Sequence, residues 1–177
     1  MKESGATLLE LMVVLAVSAI LLTEGIPRFA ALIRTSRLTS ASNELVSSLH
    51  LTRSEAIKRN ARAVMCPSAT GTSCTDGGWH QGWLVFHDAN NNATLDAGES
   101  VILRQPAMPE GFRLTGNTLV SRYISYSPTG ASKLVSGAFQ AGTLTVCNVS
   151  DPSGARQIIV SRTGRPRTVK AVLASCP

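Results

Sequence analysis

The chain has 177 residues, 44% of them hydrophobic and 16% charged. Allowing for a long N-terminal helix, roughly 115 remain, which is one domain's worth. A formal net charge of +6 and a pI near 9.6 favour acidic partners, such as nucleic acid or an anionic surface, over basic ones. The four cysteines contain no C-x-x-C pair and the three histidines show no ligand spacing, which argues against zinc.

Lys2-Glu3-Ser4-Gly5 leads directly into an apolar run that continues to Thr23 and contains one carboxylate, Glu10. A charge at membrane depth costs about 2.5–3.5 kcal/mol on insertion scales, so a task is expected of it. An ordinary secretory signal is cut after its apolar region. Here the small residue, Gly5, precedes that region, and cleavage there would leave the hydrophobic helix on the mature chain. Residues 6–23 are long enough to enter a bilayer at about 1.5 Å per residue.

Gly25 and Pro27 are expected to interrupt the helix locally, because proline lacks the N–H that the ladder needs. From Phe29 to Arg59 the helical period returns. Leu38, Ala41, Leu45, Leu49, Thr52 and Ala56 recur at three or four residues and form one stripe. Arg34, Arg37, Arg53, Lys58 and Arg59 fall mostly off that stripe and read as a solvated face. After Asn60 the composition changes to short β-prone runs separated by Gly, Ser, Thr and Pro. These are 63–66, 82–87, 101–104, 119–126, 143–149, 156–161 and 167–173, a spacing that predicts antiparallel sheets. The expected fold class is therefore α+β, a long N-terminal helix packed on an antiparallel β-rich head. Trp79 and Trp83 are read as core or loop anchors.

The N-terminus resembles the class III signal of type IV pilins and type II secretion pseudopilins. The resemblance rests on the short leader, Gly5, the offset of Glu10 and the apolar run. It implies cleavage between Gly5 and Ala6 by prepilin peptidase and N-methylation of Ala6, where the family usually has Phe. It also implies that Glu10 neutralises the N-terminal amine of an adjacent subunit, and it matches Pro27 to a common pilin proline. The resulting division is a leader at 1–5, a membrane and pilus-core helix at 6–33, and a pilin head at 34–177. Within the head a helix is expected over 34–60 and sheets over 61–177. Gly82-Trp83-Leu84-Val85-Phe86, the Asp88–Glu99 segment and Ile124-Ser125-Tyr126-Ser127-Pro128-Thr129-Gly130 further resemble the GspH/FimT group of minor pilins and pseudopilins.

Lys2 keeps the leader cytoplasmic under the positive-inside tendency. The protein is then expected in the inner membrane with a periplasmic head, and afterwards in a pilus or at its tip. The periplasm is oxidising, and all four cysteines lie in the exported part. Four cysteines allow three pairings. The favoured one joins Cys66 to Cys74 as a loop clamp and Cys147 to Cys176 as a tether for the C-terminal end.

The segment Ser161-Arg162-Thr163-Gly164-Arg165-Pro166-Arg167-Thr168-Val169-Lys170 carries the main candidate site. Apolar runs flank it on both sides. Thr163-Gly164 with Pro166 reads as a hairpin turn, since Gly supplies positive φ and Pro fixes φ. Arg162, Arg165 and Arg167 should cluster at its exposed tip, and no acidic residue follows Asp151. Guanidinium forks suit phosphate oxygens. In FimT-like minor pilins a Gly-Arg-x-Arg motif here is associated with DNA binding during natural transformation, and Gly164-Arg165-Pro166-Arg167 matches it. The implied partner is single- or double-stranded DNA without sequence preference, alongside other pilins. Lys170 is a further member, expected on the opposite face from Arg167. The alternative is a structural subunit that initiates a pilus or pseudopilus without binding DNA.

Asp88, Asn90, Asn92, Thr94, Asp96 and Glu99 place oxygens at the offsets of a calcium loop, but Ala93 stands where that loop has Gly. A turn between strands explains the segment as well, and no metal or cofactor is assigned. No nucleophile–base pair suggests an enzyme.

Overall fold

The computed structural model describes Gly5 and residues 7–177. It forms two compact units, the first ending at Arg37 and the second being Leu38–Pro177.

In the first unit, helix α1 spans Leu8–Ile20 and is capped by Thr7, whose hydroxyl accepts from the Glu10 N–H at 3.3 Å. A π-helical turn, Leu21–Gly25, follows, and α2 begins at Ile26. The expected interruption is thus a local widening, after which the helix continues. Pro27 lies in the first turn of α2, directly after that widened turn. The apolar side chains of α1, from Leu8 to Ile20, are exposed. The continuous helix Leu8–Lys58 contains a stretch long and apolar enough to cross a membrane.

In the second unit, α2 continues to Lys58 and buries Leu38, Ser42, Leu45, Ser48, Leu49, Thr52 and Ala56. The buried hydroxyls are satisfied within the helix: Ser42 Oγ donates to the Leu38 carbonyl at 2.8 Å and Thr52 Oγ1 to that of Ser48 at 2.6 Å. Ser48 Oγ also accepts from Trp83 Nε1 at 3.0 Å, which fixes the indole in the core. Asn60 ends the helix in the left-handed region, φ 50. Its N–H donates to Ile57 and the Ala61 N–H to Ala56, a Schellman-type stop.

Eight strands follow: β1 Ala63–Pro67, β2 Trp83–His87, β3 Val101–Gln105, β4 Phe112–Gly116, β5 Ile124–Tyr126, β6 Gly142–Asn148, β7 Asp151–Val160 and β8 Pro166–Lys170. They build two antiparallel sheets, ordered β3-β2-β1-β5 and β4-β6-β7-β8. Strand β4 was not expected. It carries only two core residues, Phe112 and Leu114, between Gly111 and Gly116, too short a pattern to stand out. The expected 119–126 run is shorter than foreseen, because Thr118–Val120 forms a 3-10 turn.

The main core joins Leu45 and Leu49 to Met65, Val85, Leu114, Leu144, Ile158 and Val160. The opposite face of the first sheet is also covered: Val64, Leu84 and Phe86 pack with Ala93 and Leu95 of the Asp88–Glu99 segment. That is why β1 is buried at every position. Disulfides join Cys66 to Cys74 and Cys147 to Cys176.

Candidate nucleic-acid interface

Strands β7 and β8 form a hairpin in which Val160 pairs with Pro166, Ile159 with Arg167 and Arg156 with Lys170. Pro166 opens β8, a position where a strand tolerates the loss of a ladder N–H. Ser161 organises the turn. Its N–H donates to the Arg165 carbonyl at 3.3 Å, its hydroxyl reaches the same carbonyl at 3.1 Å, and it accepts the Gly164 N–H on its own carbonyl at 2.8 Å.

Gly164 holds the turn against the head. Its φ is 78, and the residue is buried. A Cβ there would lie 2.9 Å from Tyr126 Cε1 and still closer to the Gly130 carbonyl oxygen. That carbonyl is itself held by Arg53 Nε of α2 at 2.8 Å. Arg53 was expected on a solvated face; the structure corrects this, because Arg53 reaches a loop distant in sequence. Tyr126 is fully buried, and burial pushes its phenol well above the ordinary range.

Around this support Arg162, Arg165, Arg167 and Lys170 are all exposed. The register puts Arg167 on the face of Ile159 and Lys170 on the opposite face with Arg156, which donates to Thr39 Oγ1 at 3.3 Å. Along the strand Lys170 is about 10 Å from Arg167 at some 3.3 Å per residue. The turn therefore gathers Arg162, Arg165 and Arg167, and Lys170 stands apart. Among the described residues no carboxylate pairs with these four cations. Carboxylates elsewhere have partners: Glu55 meets Arg59 at 2.7 Å and Lys58 at 3.8 Å, and Asp76 meets Arg122 at 2.8 Å. The hydrogen bond from Arg59 holds the Glu55 carboxyl below its ordinary value.

One residue escaped sequence reasoning. Phe139 is exposed, with Arg162 Cζ 5.8 Å and Lys133 Nζ 5.9 Å from its ring centroid. Its only signal was an aromatic alone in a Gly- and Ser-rich stretch. Neither Trp79 nor Trp83 offers such a surface, each being 1% exposed.

The Asp88–Glu99 segment uses its carboxylates internally. Asp88 accepts from the N–H groups of Asn92 (3.0 Å) and Ala93 (2.9 Å), and Glu99 from those of Ala89 (2.8 Å) and Asp96 (3.1 Å). Asn90 and Asn92 each donate to Asp96 at 2.7 Å and hold its carboxyl low. Among the described residues no three His, Cys, Asp or Glu converge to hold a metal. Glu10 is exposed in α1. Ala6 and the leader up to Ser4 lie outside the described residues.

An apolar, exposed N-terminal helix that continues into a head of two antiparallel sheets defines a type IV pilin-like subunit. The family described as Type II transport protein GspH matches residues 41–164, and the prokaryotic N-terminal methylation motif matches residues 1–23. The chain belongs to the GspH family and is a minor pilin or pseudopilin. Its fold is similar to the type IV minor pilin FimU of Pseudomonas aeruginosa, at TM-score 0.60 and 18% identity, over 80% of this chain and 96% of that one. It is also similar to the minor pseudopilin EpsH of the Vibrio cholerae type 2 secretion system, at TM-score 0.52 and 11% identity, over 76% and 97%. No curated protein sequence matches it. The family match ends at Gly164, so Arg165 and Arg167 lie beyond it.

Proposed function

We propose that this minor pilin binds DNA without sequence preference through Arg162, Arg165 and Arg167 and thereby supports DNA uptake in natural transformation. One observation carries the reading: three exposed guanidiniums on a turn fixed by Gly164, with no carboxylate partner among the described residues. Such a tip neutralises phosphates and reads no bases, so affinity is modest and sequence-blind. Gly164 sets the turn, and Lys170 is a peripheral contact. In this reading prepilin peptidase cuts between Gly5 and Ala6 and methylates Ala6. The subunit waits in the inner membrane with a periplasmic head, then enters a pilus or its tip, with Glu10 pairing the terminal amine of a neighbouring pilin.

The second reading is assembly without DNA, as a priming subunit of a pilus or type II pseudopilus. The likeness to FimU and EpsH supports it. The two separate on DNA binding by the full chain in non-ionic detergent at low salt. Binding to duplex should fall with log salt at a slope of about −2.7 if three phosphates are neutralised at about −0.9 each. Arg165→Gln with Arg167→Gln should remove most binding and lower transformation while pili persist. Loss of pili in that double variant, or no DNA binding by the wild type, establishes the structural reading instead.

A further inference from the structure

We infer that Phe139 is a stacking platform for an unpaired base, so that the tip prefers single-stranded DNA or a strand end over closed duplex. The inference rests on the DNA reading of the arginine tip and adds the form of DNA recognised. Phe139 is 56% exposed, which leaves much of its ring in water. Two cations lie against the ring, Arg162 at 5.8 Å and Lys133 at 5.9 Å from the centroid. Arg162 belongs to the same turn as Arg165, so ring and phosphate-binding cations share one patch.

The backbone that carries the ring is fixed. Lys133 and Phe139 face each other across a small hairpin, closed by Leu134 N–H to the Ala138 carbonyl at 2.8 Å and Gly137 N–H to the Leu134 carbonyl at 2.9 Å. The next residue, Gln140, is fully buried. Its amide donates to the carbonyls of Leu119 (2.7 Å) and Tyr123 (2.8 Å) and accepts from the Ser125 N–H at 3.0 Å. Arg62 fixes the other strand by donating to the Lys133 carbonyl at 3.1 Å. An aromatic on a rigid support loses little freedom when a base stacks on it. The long side chains of Lys133 and Arg162 can then swing from the ring to the flanking phosphates. Every base offers a π-face, so the contact is sequence-tolerant, but duplex bases hide theirs in the stack. A protein partner would meet the same ring without distinguishing the two forms of DNA.

The test uses the full chain in non-ionic detergent at low salt. Fluorescence anisotropy follows binding to a labelled oligothymidylate and to a duplex of equal length closed by loops at both ends. Phe139→Ala and Phe139→Leu should each weaken oligothymidylate binding by about five-fold or more, the effect of losing one stacked base. Duplex binding should stay within about two-fold, and Phe139→Tyr should behave as wild type. The Leu variant keeps an apolar side chain beside Arg162 and removes only the π-face. Equal losses on both DNAs would mean that the ring merely places Arg162, and would overturn the inference. So would unchanged binding in both variants while Arg165→Gln with Arg167→Gln abolishes it, an outcome that leaves the arginine tip intact. A wild-type chain that binds neither DNA removes the DNA reading and the platform together.

Discussion

Gly164→Ala tests whether the arginine turn is locked by close packing or only by its backbone conformation. Two costs are expected. An alanine forced into the left-handed region costs about 1–2 kcal/mol. Overpacking against fixed neighbours adds about 1–3 kcal/mol. The second cost applies because the first obstacle is a backbone oxygen, that of Gly130, which Arg53 holds at 2.8 Å, and the next is the buried Tyr126 ring. Gly111 supplies the control. Its φ is 82, close to the 78 of Gly164, yet a Cβ at Gly111 meets nothing within 4 Å. Urea unfolding of the soluble head (residue 34 onward), followed by fluorescence of the buried Trp79 and Trp83, measures both variants. Gly164→Ala should exceed Gly111→Ala by about 1–3 kcal/mol. Under the proposed DNA reading its affinity for DNA should also fall, since the turn must shift to admit the methyl group. Equal losses in the two variants would refute the packing argument.

Cys147→Ser should destabilise the head by about 3–4 kcal/mol in the chain-entropy model, because the bridge to Cys176 closes a separation of 29 residues. Cys66→Ser, which opens a separation of 8, should cost less, and thermal melts of both variants rank them. Glu55 is held low by Arg59, so its contribution is present above the ordinary carboxylate value of 4.5 and is lost as pH falls below it. Glu55→Gln should flatten the stability–pH curve in that acid range; an unchanged curve would remove the role. Glu10→Ala should lower incorporation into pili without changing the head, as read from sheared pilus fractions. Wild-type incorporation would count against amine pairing.

The parts of this fold that were legible from sequence depend on local period or local turn chemistry. Leu38, Leu45, Leu49, Thr52 and Ala56 announced the buried stripe because a 3.6-residue period survives any tertiary context. The Ser161–Arg165 turn was legible because Gly164 and Pro166 restrict backbone angles by themselves. What could not be read depends on contacts distant in sequence. Arg53 lies off the apolar stripe, and nothing in its neighbours signals the Gly130 carbonyl. The approach of Gly130 to Gly164 joins two loops that look independent in sequence. Phe139 became a candidate only when folding brought Arg162 beside it, and β4 needed its partner β6 to register as a strand.

Strand β8 lies at the end of its sheet, with β7 as its neighbour on one side. A bare strand edge invites pairing with another chain, and natural edges are blunted by proline and by charge. Here Pro166, Arg167 and Lys170 provide both along a five-residue strand. The cations proposed to contact phosphate are therefore also expected to keep neighbouring heads from joining edge to edge. Crowded subunits would meet such edges often. Replacing Pro166, Arg167 and Lys170 together should turn a monodisperse head into a self-associating one, visible as a light-scattering increase with concentration.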